Sequence, residues 1–320
     1  MTLLALGAAS CGARTGLDVP DPCPSDGDSR ACQDGCGTGS QTCENGIWSA
    51  CQVPVATRSC NDGCGDGQES CVAGKWQACK VPLVQRACAS VCGAGHETCN
   101  QGKWGACDAP QPRPPQLKTT VRDFSPTTHP DFEAGYAPGL DAGMVESTLG
   151  VDDRPVYAGR PITPSSSGKA NFDQWFHDSP NSQSEALDLQ LLPAPGEAGL
   201  FTYDDGDFFP IDGKLLGNEG RGHNFHFTLE ASTTFEYRGG EVFSFSGDDD
   251  MWVFINRRLA IDLGGLHRSL SANVSLDDFA GQAGLIQGQV YPLHFFFAER
   301  HTIESHFTIR TSIAEPGSCD

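Results

Sequence analysis

From residue 117 onward the chain is a succession of short apolar runs broken by Gly, Pro, Asn and Asp, and in most of them apolar and polar positions alternate. A period of two is what a half-buried strand requires. The runs LKTTVRDF (117–124), GLFTYDD (199–205), NFHFTLE (224–230), TTFEYR (233–238), EVFSFS (241–246), MWVFIN (251–256), RLAIDL (258–263), VYPLHFFFAE (290–299) and HFTIRTSI (306–313) each predict a strand. NFDQWFHD, from Asn171, predicts one short helix. Roughly ten strands with so little helix predict an all-β head, a β-sandwich or barrel, over residues 117–313. Met251 to Ile255 are apolar at every position, so that strand is expected at the centre of a sheet with both faces buried. Asn256, Arg257 and Arg258 then turn the chain, and Leu259 to Leu263 return as the second strand of a core hairpin.

Upstream the pattern changes. Apolar runs disappear, and three copies of one cysteine unit take their place: CQDGCGTGSQTCENGIWSAC from Cys32, CNDGCGDGQESCVAGKWQAC from Cys60 and CASVCGAGHETCNQGKWGAC from Cys88. The unit repeats every 28 residues. Its twelve cysteines are Cys32, Cys36, Cys43, Cys51, Cys60, Cys64, Cys71, Cys79, Cys88, Cys92, Cys99 and Cys107. Four sulfurs per unit suit two disulfides or one tetrahedral zinc. Zinc ribbons and fingers use two close cysteine pairs, whereas here only the first spacing is short, so two disulfides per unit are expected, with the pairing left open by the sequence. Segments this small and glycine-rich build little apolar core, which is the situation disulfides remedy. Each unit also carries one tryptophan, Trp48, Trp76 or Trp104, expected as a small apolar plug packed on the disulfides rather than as a sugar-stacking stripe. The repeats at 32–107 read as a stalk, flanked by a linker at 12–31 and by the stiff, proline-rich linker DAPQPRPPQ at 108–116. Residues 314–320 form a tail.

Three of the fifteen cysteines remain. Cys11 follows a short apolar run and the small residues Gly7, Ala8, Ala9 and Ser10, and residues 1–11 resemble the end of a bacterial lipoprotein signal, with Cys11 the lipidated residue. No basic residue precedes the apolar run, and Ala8 stands where a leucine is usual. The segment is too short to span a bilayer, so the membrane is reached through a lipid anchor alone. Cys23 and Cys319 are left to pair with each other and tie the ends of the chain together, the alternative being free or intermolecular thiols. An export signal and an even cysteine framework place the protein outside the cytoplasm, at the cell surface or outer membrane or secreted.

Composition narrows the partners. With 41 acidic and 21 basic residues the formal charge is −20, and 30 of the acidic residues against 13 basic ones fall after Gln116. Such a surface repels phosphate backbones and excludes nucleic acid as a partner. It suits a protein working among divalent cations outside the cell.

The sharpest chemical feature is FSFSGDDDMWVFIN, which sets Asp248, Asp249 and Asp250 side by side between two apolar strands. The successive motifs VRDF with HPDFE, NFDQWF, FFPIDG, NFHFTLE, FSFSGDDDMWVFINRRLAIDLGG and FFFAERHTIESHFTI resemble the fibro-slime domain. That domain is a branch of the sugar-binding superfamily named after the anthrax protective antigen. The resemblance covers residues 117–313 and departs at Arg257, where a glycine commonly follows the asparagine. It implies a non-catalytic β-sandwich in which an Asp-Asp pair before a strand, here Asp248 and Asp249 with Asp250 an addition, holds a calcium ion that also touches glycan hydroxyls. Calcium takes six to eight hard oxygen ligands, so adjacent carboxylates at a strand mouth fit it on chemistry alone. The plainer reading is an Asx turn at Asp248 with its neighbours in water. Asp262, Asn273, Asp277 and Asp278 are further oxygen donors. DDGDFFPIDG has the composition of a calcium loop but places Phe209 where an EF-hand needs Asp or Asn. Glu299, Arg300, His301, Glu304 and His306 read as a salt-bridged strand end, and His267 as a loop residue.

No Gly-x-Ser-x-Gly elbow, His-Glu-x-x-His pair or phosphate loop occurs, and a paired-carboxylate glycosidase is the remaining enzymatic possibility. The expectation is therefore a surface-anchored, non-catalytic carbohydrate-binding or adhesion protein with calcium as cofactor. A structural or matrix protein whose head binds another protein, of unknown identity, is the alternative.

Overall fold

The computed structural model describes residues 21–54, 57–159, 165–302 and 304–319. Cys11 and the lipoprotein-like segment lie outside them. Each repeat forms a small antiparallel sheet of three strands in sequential order. The strands are β1 (Ser29–Asp34), β2 (Gly37–Glu44) and β3 (Ile47–Trp48), then β4 (Thr57–Asn61), β5 (Asp66–Val72) and β6 (Lys75–Trp76), then β7 (Gln85–Ser90), β8 (Gly93–Asn100) and β9 (Lys103–Trp104). The turn before each two-residue strand holds a residue and a glycine both at positive φ: Asn45 and Gly46, Ala73 and Gly74, Gln101 and Gly102. That geometry, the twist-matched hairpin turn, explains the fixed glycine of the repeat.

Every one of the twelve repeat cysteines is in a disulfide, so no thiolate remains for zinc. The pairing departs from two bonds within each unit. First and fourth cysteines do close on each other, as Cys32–Cys51, Cys60–Cys79 and Cys88–Cys107. Second cysteines reach forward to the third cysteine of the next repeat, as Cys36–Cys71 and Cys64–Cys99. Nor do Cys23 and Cys319 pair: Cys23 takes Cys43 and Cys319 takes Cys92. The physical reason is reach, since a disulfide needs its Cα atoms within about 7 Å. Cys92, just before β8, and Cys319, in the C-terminal turn, have their Cα atoms 4.9 Å apart.

The tryptophans sit directly across the ladder from disulfide cysteines, as Cys43 with Trp48, Cys71 with Trp76 and Cys99 with Trp104. What the sequence reading missed is their other neighbour. Arg30, Arg58 and Arg86 lay their guanidinium groups over the indoles at 4.5, 4.3 and 4.5 Å.

Contacts divide the described chain into two compact units, one running through Cys88 with His96–Asp108, the other comprising Ala89–Gly95 and Ala109–Asp320. The second unit contains an all-β sandwich. Its strands are β10 (Lys118–Phe124), β11 (Ser182–Ala186), β12 (Leu192–Pro193), β13 (Phe201–Asp205), β14 (Phe227–Glu236), β15 (Val242–Gly247), β16 (Asp250–Ile255), β17 (Arg258–Leu263), β18 (Leu270–Ser275), β19 (Val290–Glu299) and β20 (Phe307–Thr311). A six-stranded sheet has the order β11-β10-β14-β19-β16-β17, and a five-stranded sheet the order β12-β13-β20-β15-β18. The runs at 224–230 and 233–238 merge into the single strand β14, because Phe227, Leu229, Ala231 and Phe235 are buried on one face with the half-buried Thr233 keeping the register between them. The helix expected from Asn171 shrinks to α1 (Lys169–Phe172). A second helix, α2 (Leu276–Ala283), starts on the Ser275 cap and ends at Gly284 with φ 67°. Leu276, Phe279, Ala280 and Ala283 follow that cap at i, i+3, i+4 and i+7, a helical pattern that the expected elements omit.

All six residues of β16 are buried, as its apolar pattern requires. Met251, Val253 and Ile255 enter the core between the sheets, whereas Trp252 and Phe254 enter a second core with Met144, Leu149, Phe172, Trp175 and Phe176. The residues between β10 and β11 thus cover the outer face of the central strands. The β16–β17 turn places both Asn256 (φ 46°) and Arg257 (φ 65°) in the left-handed region. Arg257 tolerates the position a glycine would fill more easily because Asp153 and the Gly150 carbonyl hold its guanidinium.

Candidate functional site

Three connections between the two sheets meet at one end of the sandwich. Asp248 and Asp249 join β15 to β16, residues 264–269 join β17 to β18, and residues 300–306 join β19 to β20. Each leaves the six-stranded sheet for the five-stranded one or the reverse. The crossing at Asp248 and Asp249 is two residues long, so it is tight. Gly247 precedes it, where a Cβ would run into the His306 carbonyl and the Phe245 ring. Asp249 itself has φ 50°. The backbone N–H of Asp248 donates to His306 O (3.3 Å) and that of Asp249 to His267 O (3.2 Å), which stitches the three connections together.

The three aspartates part company here. Asp250, at 0 % exposure, spends one oxygen on Arg300 Nε (2.5 Å) and the other on the Gly265 N–H (2.6 Å). Arg300 is equally buried, lies over the Trp175 ring at 4.5 Å and donates to the Ser165 carbonyl at 2.6 Å. Asp250 is therefore neutralised and fully engaged, and it is not available as a metal ligand. The expected salt bridge at this strand end is present for Arg300, whose partner Asp250 lies on the paired strand β16, but the pair is buried in the interior rather than exposed.

Asp249 accepts the Arg300 backbone N–H through Oδ2 (2.9 Å). Asp248 Oδ1 and both oxygens of Glu299 are buried with no hydrogen-bond partner among the described residues. Burial pushes the Asp248 carboxyl up and that of Asp249 to about 6, the latter against the pull of Arg300. Glu299, fully buried, is raised well above the usual carboxylate range by burial and then by the Asp249 charge. Three carboxyls thus converge where the buried Arg300 is already committed to Asp250.

Asp248 and Asp249 open onto a cleft of about 280 Å³ lined also by Tyr136, Leu266, His267 and His301. The His267 ring is anchored to the Leu263 and Arg268 carbonyls, at 3.1 and 3.0 Å, as a loop residue. Tyr136 holds Asp131 at 3.1 Å through its hydroxyl. It was not legible as a site residue, because it lies in a loop with no periodicity to place it. The other oxygen donors are occupied elsewhere: Asp262 by the Trp252 indole N–H (2.9 Å) and Gly143 N–H (2.7 Å), Asp277 by the Tyr237 hydroxyl and Gly240 N–H (both 2.8 Å). Asn273 lies in β18 and Asp278 in the first turn of α2, and neither lines the cleft.

A hard divalent cation fits Asp248 and Asp249 by the test of unmet need. They are buried oxygen donors, one atom has no partner, and burial favours their protonation even against the pull of Arg300 on Asp249. Asp250 fails that test.

Residues 204–318 match the PA14 domain. Among curated proteins, the chain is 40% identical over 213 residues to protein psiR of Dictyostelium discoideum, covering 62% of this chain and 21% of that one. It is also 40% identical over 213 residues to protein psiC of the same organism, covering 62% and 40%. The chain spans less than half the length of either relative. Among solved structures, the PA14 sugar-binding domain from an RTX adhesin aligns at 10% identity and a TM-score of 0.29, covering 63% of this chain and 99% of that one.

Proposed function

We propose that the sandwich is a calcium-assisted carbohydrate-binding module, presented outside the cytoplasm by the disulfide-bonded repeats and anchored through a lipid on Cys11. The observation that carries the reading is the pair Asp248 and Asp249, buried, short of partners and open to a cleft. The PA14 match over residues 204–318 contains that pair and supports a sugar-binding or adhesive role. Calcium bound there would supply a positive charge that vicinal hydroxyls can coordinate. The chain's own residues do the rest. Asp248 and Asp249 hold the ion, the stitched loops fix their spacing, and Tyr136 with Leu266 offers an apolar wall for the C–H face of a sugar ring. The cleft binds without turning over, and many copies on one surface would offset weak single-site affinity.

Calcium titration of the full chain by calorimetry, beside Asp249→Asn, tests this. Binding in the micromolar to millimolar range, abolished in the variant, supports the ion site, and a glycan array that loses its signal on chelation supports the sugar. No heat in a chain with intact disulfides favours a structural, protein-binding role for the head.

A further inference from the structure

The cysteine pairing has a property that neither the composition nor the glycan reading supplies. In each repeat the second cysteine lies just before the central strand and the third near its end: Cys36 and Cys43 for β2, Cys64 and Cys71 for β5, Cys92 and Cys99 for β8. A covalent path that follows the disulfides therefore runs from Cys23 to Cys43 and back along β2 to Cys36. It crosses to Cys71, returns along β5 to Cys64, crosses to Cys99, returns along β8 to Cys92 and reaches Cys319. Each strand is traversed in the same sense, from its C-terminal to its N-terminal end.

Two consequences follow from elementary geometry. The first concerns length. A strand already rises about 3.3 Å per residue, against a ceiling near 3.6 Å for a fully extended chain, so each strand segment of the path has less than about a tenth of its own length left to yield. Residues 100–318 lie within the loop closed by Cys92–Cys319, beyond the point where the path enters β8 at Cys99, and are bypassed by a pull along it. The second concerns continuity. The loops Cys23–Cys43, Cys36–Cys71, Cys64–Cys99 and Cys92–Cys319 overlap one another, so every peptide bond from 23 to 319 lies inside at least one of them. Cutting any one backbone bond leaves a single molecule. Modules whose disulfides all close within themselves have neither property, because the linkers between them are single-stranded and unspanned.

We propose that the repeat segment is a mechanical tether, fixed in length and held in one piece when its backbone is cut. This rests on the pairing alone, not on the glycan site, and its readouts involve neither calcium nor sugar.

The test inserts a specific protease site after Leu83 in the full chain. Leu83 is 76% exposed, and between Cys79 and Cys88 the Cys64–Cys99 bond is the one described disulfide that spans the cut. Complete cleavage should leave one species of full mass in denaturant without reductant and give two fragments once reductant is added. A Cys64→Ser, Cys99→Ser double variant should give two fragments in both conditions. Separation of the parent without reductant overturns the proposal. Because the double variant could fail to fold, single-molecule pulling between handles at the two ends of the unmodified chain provides a second reading. The oxidised chain should break without stepwise lengthening, and the same chain in reductant should lengthen in steps. Stepwise lengthening of the oxidised chain would also overturn the tether.

Discussion

Asp249 and Asp250 are neighbours in sequence and opposites in chemistry, because one side of the crossing faces a cleft and the other faces Arg300. Removing the cation makes the difference measurable. Arg300→Met leaves Asp250 buried without its partner, which should cost about 3–5 kcal/mol in denaturant unfolding, whereas an exposed ion pair would cost under about 1 kcal/mol. Protonation separates the other carboxyls. Asp248, Asp249 and Glu299 all bind their protons more tightly in the folded chain than in the unfolded one. For Asp249 the resulting stability is fully present below the unfolded-state value of 3.8 and is lost as pH rises through about 6. Without calcium, the melting temperature should fall as pH rises through that window, and Asp249→Asn should flatten the fall. Calcium competes with those protons, so its affinity should strengthen over the same rise. An affinity independent of pH would remove Asp249 from the site.

At the scale of elements, alternation located strands well and boundaries less well. β16 was readable because both its faces are apolar, and the two cores on either side of it supply the reason. β18 and α2 were legible yet absent from the expected elements: LSANVS alternates strictly, and LDDFAGQA spaces its apolar residues at i, i+3, i+4 and i+7 behind the Ser275 cap, but both are short and rich in small residues beside stronger runs. The repeats also place determinants on glycines and arginines whose roles the cysteine spacing does not announce. A Cβ on Gly67 would strike the Lys80 carbonyl, where Gln68 and Lys80 exchange backbone hydrogen bonds at 3.1 and 3.0 Å. Gly67→Ala should therefore lower the melting temperature of the repeats by several degrees. Arg58→Ala, which uncovers Trp76, should cost only about 0.5–1 kcal/mol, because that stack is solvent-exposed. Thermal unfolding followed by tryptophan fluorescence would distinguish the two.

For the whole molecule, disulfides decide how the repeats hold together. Seven disulfides among the described residues fit an oxidising, extracellular setting. Their interlinked pairing makes the repeat segment cooperative in a way that independent modules are not. Reduction should therefore melt the three repeats together in one transition, measurable by calorimetry with and without reductant, rather than as separable steps.

The sequence by itself determined the all-β head, the 28-residue repeat, the central apolar strand and the place of the aspartates at its mouth. These are local properties, written as periodicity and spacing within a few residues. Tertiary structure alone decided which cysteines pair, because a disulfide answers to distances between strand ends that lie 19 to 227 residues apart in the chain. It also decided that Asp250 is neutralised while Asp248 and Asp249 are left open. That division depends on Arg300 arriving from another strand, and no spacing near residue 250 encodes the encounter.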